Sequence, residues 1–148
     1  MTPQAFIAAI SPAAVSLMST SKIPASFTIA EAALESGWGA HCPGFNIFGI
    51  KADPSWHGPI VTESTDEDEN GQTVTITANF RAYPSWLASL QDHAQFLLVN
   101  PRYQPAFAYS TGALFAKAVA AAGYATDPQY AQKIISIINS HNLGSLDV

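Results

Sequence analysis

The pair Asn70-Gly71 stands between two segments in which polar and apolar residues alternate. Asn-Gly in this setting is the strongest short-range signal for a β-hairpin, because both residues accept the positive φ of a two-residue turn. We therefore predict strands over residues 60–65 and 73–81. Such a turn also fixes which residues face each other: Glu67 and Val74, Thr65 and Ile76, Glu63 and Ala78, Val61 and Phe80.

This register decides where the acidic side chains of the hairpin point. Directly opposed residues share a face of the ribbon, so Glu63 and Glu67 are expected on the apolar side, toward the body of the protein. Asp66 and Asp68 are then expected to face water. A one-residue slip or a bulge in the pairing would reverse the assignment.

The rest of the chain has helical patterning. We predict two short helices before residue 21, capped at Thr2-Pro3 and Ser11-Pro12, and further helices over about 24–36, 85–99, 105–109, 112–122 and 128–142. The helix after Ser85 is expected to bury one stripe, Leu87, Leu90, Ala94, Leu97 and Leu98. The predicted fold class is α+β and mainly α, a helical body with one hairpin lobe over about 58–82.

The composition limits the class of protein. A chain of 148 residues with 48% hydrophobic and 11% charged residues fits one globular domain, which we place over residues 1–148. The net charge of −5 is local, because five of the eleven acids lie between Glu63 and Glu69. No Lys/Arg patch is present, which argues against a nucleic acid partner.

The N-terminal region is apolar, but Pro12, Ser16, Ser19 and Lys22 interrupt it, so we predict no insertion into a membrane. No Lys or Arg precedes Lys22, so the basic start of a signal peptide is missing and we expect no export signal in this chain.

Glu35 is the first candidate for chemistry. It lies in the last turn of the predicted 24–36 helix, which Gly37 ends, and Trp38 follows. The negative end of the helix dipole disfavours a charged carboxylate there, and a neighbouring indole removes water from it. Both effects raise the pKa, so Glu35 is predicted to be a proton donor.

His41, Cys42 and His57 raise the question of a metal or thiol site. Their spacing matches no zinc motif, so we predict no metal and no cofactor. A Cys-His peptidase would need Cys42 at the start of a helix, and nothing after Cys42 is predicted to begin one.

Four segments together make the chain resemble glycoside hydrolase family 73, the peptidoglycan N-acetylglucosaminidases that include FlgJ-type hydrolase domains. They are Leu34-Glu35-Ser36-Gly37-Trp38-Gly39, Asn46-Ile47-Phe48-Gly49-Ile50-Lys51, Phe80-Arg81-Ala82-Tyr83 and Gly123-Tyr124-Ala125-Thr126-Asp127-Pro128. The resemblance covers about residues 3–140. It implies a lysozyme-like fold, with the glycan in a cleft between a helical lobe and the hairpin lobe.

The resemblance also implies roles for individual residues. Glu35 matches the general acid of the family, Glu67 the second carboxylate and Tyr124 a tyrosine of the cleft that supports activity. Substrate contacts are expected from Trp38, Asn46, Phe48, Trp56, Glu63 and Tyr83, with Trp56 as an exposed platform for a sugar ring. The segment is unusually acidic, so Glu63 and Glu69 compete with Glu67 for the second role.

The expected activity is hydrolysis of the β-1,4 bond between N-acetylglucosamine and N-acetylmuramic acid by a monomer that binds peptidoglycan strands. Retaining, inverting and substrate-assisted routes all stay open. A muramidase or lytic transglycosylase is the alternative enzyme, and a non-catalytic glycan-binding module the alternative of another class. The protein is expected to act in the periplasm or at the cell wall, delivered through holin pores, by a secretion system or within a longer parent protein.

Overall fold

A computed structural model describes all 148 residues. Five α-helices and one antiparallel hairpin make up the regular structure: α1 (Pro3–Ser21), α2 (Ala25–Ser36), β1 (Ile60–Glu69), β2 (Gln72–Arg81), α3 (Trp86–Val99), α4 (Gly112–Ala121) and α5 (Tyr130–Ser140). Short 3₁₀ helices occur at Pro43–Phe45, Pro101–Ala108 and Leu143–Leu146. The predicted mainly helical α+β class is confirmed, with a helical lobe and a hairpin lobe.

The N-terminal region is one continuous helix, so the prediction of two short helices is wrong. Thr2 caps α1 through a hydrogen bond from the Ala5 amide, but Pro12 lies inside the helix. Pro12 is exposed, so water can reach the carbonyl that loses its donor. The Ser11 hydroxyl also donates to the Ile7 carbonyl at 2.6 Å.

The prediction that this apolar region is too interrupted to cross a membrane is also wrong by length and composition. Helix α1 spans 19 residues with a mean hydropathy of 1.2 over its best window, which is long and apolar enough, by length and composition alone, to cross a membrane. Phe6, Ile10 and Ala14 are nevertheless buried in the protein core. In this structure α1 packs on α2 and α3.

Helix α2 is the centre of the molecule. Every residue from Ala25 to Ala33 is buried, and α1, α4 and α5 pack around it. Small side chains on α2 allow the neighbouring helices to approach closely. The largest apolar groups of the surrounding core are Phe6, Phe27, Phe115, Ile29, Ile47, Leu90, Leu97 and Ile134. Leu87 and Leu98, predicted to lie in this core, are about half exposed at 50% and 48%.

The hairpin has the predicted register. All four expected pairs occur, from Glu67 with Val74 to Val61 with Phe80. The turn residues Asn70 and Gly71 have φ of 53° and 79°, as a type I′ turn requires. The strands are longer than predicted because pairing continues to the turn. Glu63 and Glu67 lie on the half-buried face, while Asp66 and Asp68 are exposed.

A buried arginine fastens the hairpin to the helical lobe. Arg81, at the end of β2, is 7% exposed, and its guanidinium donates to Asp92 of α3 at 2.9 Å. The Tyr83 hydroxyl donates to the same carboxylate oxygen at 2.5 Å. Asp53 is a more distant partner of Arg81, at 3.4 Å. These bonds set the position of the hairpin relative to α3.

The last residues of the chain pack against the helical lobe. The carboxylate of Asp147 accepts hydrogen bonds from the amide and hydroxyl of Ser26, at 2.9 and 2.5 Å, and from the Gly112 amide at 3.0 Å. Ser26 lies in the first turn of α2, and Gly112 begins α4. An anion therefore joins the N-terminal ends of two helices, where it is electrostatically favoured.

Candidate active site

The turn after α2 holds Glu35 at the mouth of a cleft. Gly37 ends the helix with φ of 58°, and the buried Ser36 hydroxyl donates to the Ala32 carbonyl at 2.6 Å while it accepts from the Gly39 amide at 2.9 Å. Gly39 has φ of 83°, and a Cβ there would lie 3.1 Å from the Phe6 ring. This compact turn aims the end of α2 at the hairpin lobe.

A cleft of about 320 Å³ opens between the helical lobe and the hairpin. Glu35 lies on the helical side, and Glu63, Ser64 and Thr65 line the hairpin side. The remaining lining residues are His41, Pro43, Asn46, Ile47, Gly49, Lys51 and Phe80. The cleft thus brings together three of the predicted site residues, Glu35, Asn46 and Glu63.

The pKa of Glu35 is raised above the ordinary value of a glutamate. Its side chain is open to solvent in the cleft, yet surrounding protein atoms remove much of its hydration. This burial, together with the charge of Glu31 one helical turn earlier, raises the pKa of Glu35 to about 7. The direction agrees with the sequence-based expectation, but burial and a second carboxylate are the causes.

The hairpin supplies two further carboxylates on one face. Glu63 lines the cleft, whereas Glu67, four residues farther along the same face of β1, does not. Glu67 instead forms an ion pair with Lys51 Nζ at 2.8 Å. Because Lys51 itself lines the cleft, this contact places Glu67 beside the cleft.

Asn46 lies in the cleft wall, but its amide is committed to the backbone. Its Nδ2 group donates to the carbonyls of Ile50 and Arg81, and its Oδ1 accepts from the Ile50 amide. The residue is 4% exposed. Asn46 therefore shapes the loop under the hairpin, and its contact with substrate stays a prediction.

Three of the aromatic residues expected to contact sugar rings lie mainly in the core, and their contact with substrate stays a prediction. Phe48 is 4% exposed and stacks on His93 at 3.8 Å, and Tyr83 is 8% exposed. Trp38 packs edge-on against Phe6 and against His141. These three rings stabilise the core, and none of them lines the cleft.

Trp56 is not the exposed platform that its polar neighbours suggested. The Arg81 guanidinium lies over the indole, 5.0 Å from the ring centroid, and the indole N–H donates to the Pro59 carbonyl at 2.8 Å. Tyr83 meets the ring edge-on. The half-buried Trp56 therefore packs on the guanidinium of Arg81, which joins the hairpin to α3.

The hydroxyl of the half-buried Tyr124 joins a polar cluster with His93 and Glu31. Its hydroxyl is 3.3 Å from His93 Nε2, and Glu31 Oε2 is 2.9 Å from the same nitrogen. Burial, first, and then the charge of Glu31 raise the pKa of Tyr124 well above its ordinary value. The sequence reasoning missed Glu31 and His93. The sequence does contain a signal for both, because each is an ionisable residue at a position where the helical pattern favours an apolar one. Glu31 lies in an alanine-rich helix, and His93 lies between Leu90 and Leu97.

The segment around Cys42 differs from the prediction in one detail. Cys42 does precede a 3₁₀ helix, Pro43–Phe45, but this has three residues, and Gly44 within it has non-helical angles. The thiol donates to the Gly39 carbonyl at 3.7 Å. One turn of this kind does not form the aligned helix dipole that activates a thiol.

A cleft between a helical lobe and a β-hairpin, with a carboxyl of raised pKa on one wall and a second carboxylate on the other, is the arrangement of a glycoside hydrolase with a lysozyme-like fold. The family model described as mannosyl-glycoprotein endo-beta-N-acetylglucosaminidase matches residues 11–143. The chain therefore belongs to the glucosaminidase family, glycoside hydrolase family 73.

Solved structures agree with this membership. A peptidoglycan hydrolase mutant from Sphingomonas sp. A1 is 39% identical, with a TM-score of 0.85 and 97% of each chain covered. The glycoside hydrolase domain of FlgJ from Salmonella typhimurium is also 39% identical, with a TM-score of 0.80 over 95% of this chain and 97% of that domain.

Two full-length relatives extend beyond the matched region. The peptidoglycan hydrolase FlgJ of Salmonella typhimurium is 41% identical over 140 residues, which is 90% of this chain but 44% of that protein. The exo-glucosaminidase LytG of Bacillus subtilis is 37% identical over 97% of this chain and 53% of its own length. The chain thus spans about half the length of these relatives.

Proposed function

We propose that residues 1–148 form one glucosaminidase domain that hydrolyses the glycan strands of peptidoglycan, at the β-1,4 bond between N-acetylglucosamine and N-acetylmuramic acid. The observation that carries the proposal is Glu35, a carboxyl with a pKa raised to about 7 that lines the same cleft as the hairpin carboxylate Glu63. Relatives with the names peptidoglycan hydrolase and exo-glucosaminidase support the substrate class. Such a substrate places the activity outside the cytoplasm, in the periplasm or at the wall.

Glu35 acts as the general acid. Cleavage of a glycosidic bond requires a proton on the departing sugar oxygen while positive charge develops on the other ring. A carboxyl that is half protonated near pH 7 can deliver this proton and recover it in neutral solution. Its place at the C-terminal end of a rigid, buried helix supports accurate positioning.

Glu67 acts as the second carboxylate, which stabilises the developing cation or activates water. Three features support this role: its resemblance to the family residue, its place on the inner face of β1, and its contact with Lys51, a residue of the cleft. Occupation of the cleft by a glycan would need Glu67 to turn from Lys51 toward the reacting carbon. Glu63, already in the cleft, binds substrate hydroxyl groups.

Tyr124 supports the reaction from behind Glu35. Its hydroxyl belongs to the His93 and Glu31 cluster, and the charge of Glu35 contributes to its raised pKa, which indicates that the two groups are close. A tyrosine hydroxyl is protonated near neutral pH, so it is available as a hydrogen-bond donor during the reaction.

The test is digestion of purified peptidoglycan by wild type and by the Glu35→Gln, Glu63→Gln and Glu67→Gln variants. Fragments are reduced and identified by mass spectrometry, because reduction marks each new sugar end. We expect reducing-end N-acetylglucosamine from wild type and none from Glu35→Gln. The lengths of the fragments distinguish internal cleavage from release at chain ends.

Other outcomes separate the alternatives. Reducing-end N-acetylmuramic acid, or its anhydro form, would replace the glucosaminidase by a muramidase or a lytic transglycosylase. A larger loss of activity in Glu63→Gln than in Glu67→Gln would assign the second role to Glu63. Binding to peptidoglycan without cleavage by any variant would indicate a non-catalytic module.

A further inference from the structure

Glu31 is a buried charge that the proposed reaction does not use. Its side chain has no exposed surface, and the polar groups around its carboxylate are His93, Tyr124 and Tyr130. His93 Nε2 lies 2.9 Å from Glu31 Oε2. A fully buried carboxylate is costly to the folded state unless neighbouring groups compensate its charge. Its presence in the most buried helix of the molecule therefore requires an explanation.

The position of Glu31 connects it with the catalytic cleft. Glu31 and Glu35 are four residues apart on α2, so their side chains project from the same face of the helix. His93, 1% exposed, approaches Glu31 from α3 and is fixed in place by Phe48, whose ring stacks on it with an interplanar angle of 11°. Tyr124 contacts the same ring nitrogen.

We propose that Glu31 is a positioning residue of the active site, a buried anion that His93 holds one helical turn behind Glu35 so that Glu35 keeps its proton until a glycan is bound. The inference deepens the proposed function and rests on it. Repulsion between two carboxylates on one helix face disfavours the ionisation of both. Glu31 has a histidine 2.9 Å away, whereas Glu35 forms no ion pair, so the proton is expected on Glu35. The pKa of Glu35 is raised by burial first and by Glu31 second, in agreement with this arrangement.

Other charged or titratable groups also surround Glu35 and enter the same balance. Tyr124 and Tyr130 lie on the side of the buried cluster, and their pKa values are raised by burial and by the two glutamates. His93 contacts Glu31 from α3. Across the cleft lie His41, Lys51 and Glu63. Among these groups Glu31 is the carboxylate that water does not screen.

The experiment measures the ionisation of Glu35 in two independent ways. One is the pH profile of kcat/KM on peptidoglycan fragments. The other is the titration of the Glu35 side-chain carboxyl by ¹³C NMR, with Glu35→Gln used to assign the signal. In Glu31→Gln we expect both midpoints to move to lower pH, by about one pH unit. In Glu31→Asp, which keeps the charge, we expect most of the wild-type midpoint to be restored.

The control is Asp68→Asn, which removes one negative charge from the solvent face of the hairpin and should leave both midpoints unchanged. Should Glu31→Gln not fold, Glu31→Met provides a second uncharged side chain of similar volume. Coincident wild-type and variant midpoints, with or without loss of activity, would overturn the proposal and leave Glu31 a purely structural residue. The NMR titration needs no substrate, so it tests Glu31 even if peptidoglycan is not cleaved.

Discussion

Glu35 combines exposure in the cleft with a raised pKa, and both follow from its place at the end of a buried helix. Because its pKa is about 7, the acid form is lost as the solution becomes alkaline. We expect kcat/KM to fall above roughly pH 7 with a slope of one proton. Glu35→Gln should lower activity at pH 6 by about 10²-fold or more. A rate that is constant from pH 6 to 9 would contradict the role of Glu35 as the acid.

The same carboxyl links stability to pH. Its pKa is about 7 in the folded protein against an ordinary value of 4.5 in an unfolded chain, so the folded form binds more protons between these values. Its contribution to the free energy of unfolding is therefore greatest below that range and is lost as the pH rises toward 7. We expect Glu35→Gln to stabilise the protein at pH 8, by about 1 kcal/mol after allowance for solvent screening. At pH 4 it should have little effect; urea unfolding at both pH values checks this.

Gly112 shows how closely the helices are packed. A Cβ at this position would lie 2.0 Å from the Ser26 hydroxyl oxygen and 3.0 Å from the Phe27 amide nitrogen. Gly112→Ala should therefore reduce the free energy of unfolding by about 2 kcal/mol or more. Gly144→Ala is the matched control, since nothing lies within 4 Å of its Cβ position. Similar urea midpoints for the two variants would show that the α2 and α4 contact is looser than described.

At the level of elements, the attachment of the hairpin can be tested through its two acidic partners. Asp92→Ala leaves the buried Arg81 guanidinium without its closest carboxylate and frees the Tyr83 hydroxyl, so we expect a loss of about 3 kcal/mol. Asp53→Ala removes a distant, exposed partner of the same arginine and should lower stability less than Asp92→Ala does. Thermal unfolding measures both; equal losses would exclude a dominant role for Asp92.

The hairpin is also the element that the sequence predicts best, because its information is local. Asn70-Gly71 permits only a narrow set of turns, and the alternation of side chains then fixes the register. The helix boundaries at Ser85 and Gly37 were predictable for the same reason, since caps involve neighbouring residues. The continuous N-terminal helix was not predictable, because Ser11-Pro12 has the local pattern of a helix start. The helix continues because Pro12 is exposed, which the local pattern does not indicate.

The site was predictable where a motif fixes a position and unpredictable where packing decides. The position of Glu35 follows from the predicted end of α2, and the inner face of β1 follows from the register of the hairpin. The contact between Glu31 and His93 joins residues far apart in the chain, so no local pattern indicates it. Aromatic residues such as Phe48 and Trp38 suit a core and a sugar-binding wall equally well, and only the tertiary structure distinguishes the two.

At the scale of the whole molecule, Asp147 connects the last residues of the chain with its centre. Asp147→Ala removes three hydrogen bonds to the starts of α2 and α4, so we expect a loss of about 2 kcal/mol. Val148→Ala, at a fully exposed position, should change stability by less than about 0.5 kcal/mol. Calorimetry compares the two variants; an unchanged melting temperature for Asp147→Ala would show that these bonds do not stabilise the core.

The hairpin is a two-stranded ribbon with no third strand beside β1. An open strand edge of this kind is a template on which a second molecule can pair, and proteins commonly guard such edges with charge. Asp66, Asp68 and Glu69 line the exposed part of β1. The acidic segment is therefore expected to limit aggregation of the protein, apart from any role in catalysis. Copies of the protein crowded on one insoluble substrate would repel each other at the edge where they could otherwise aggregate.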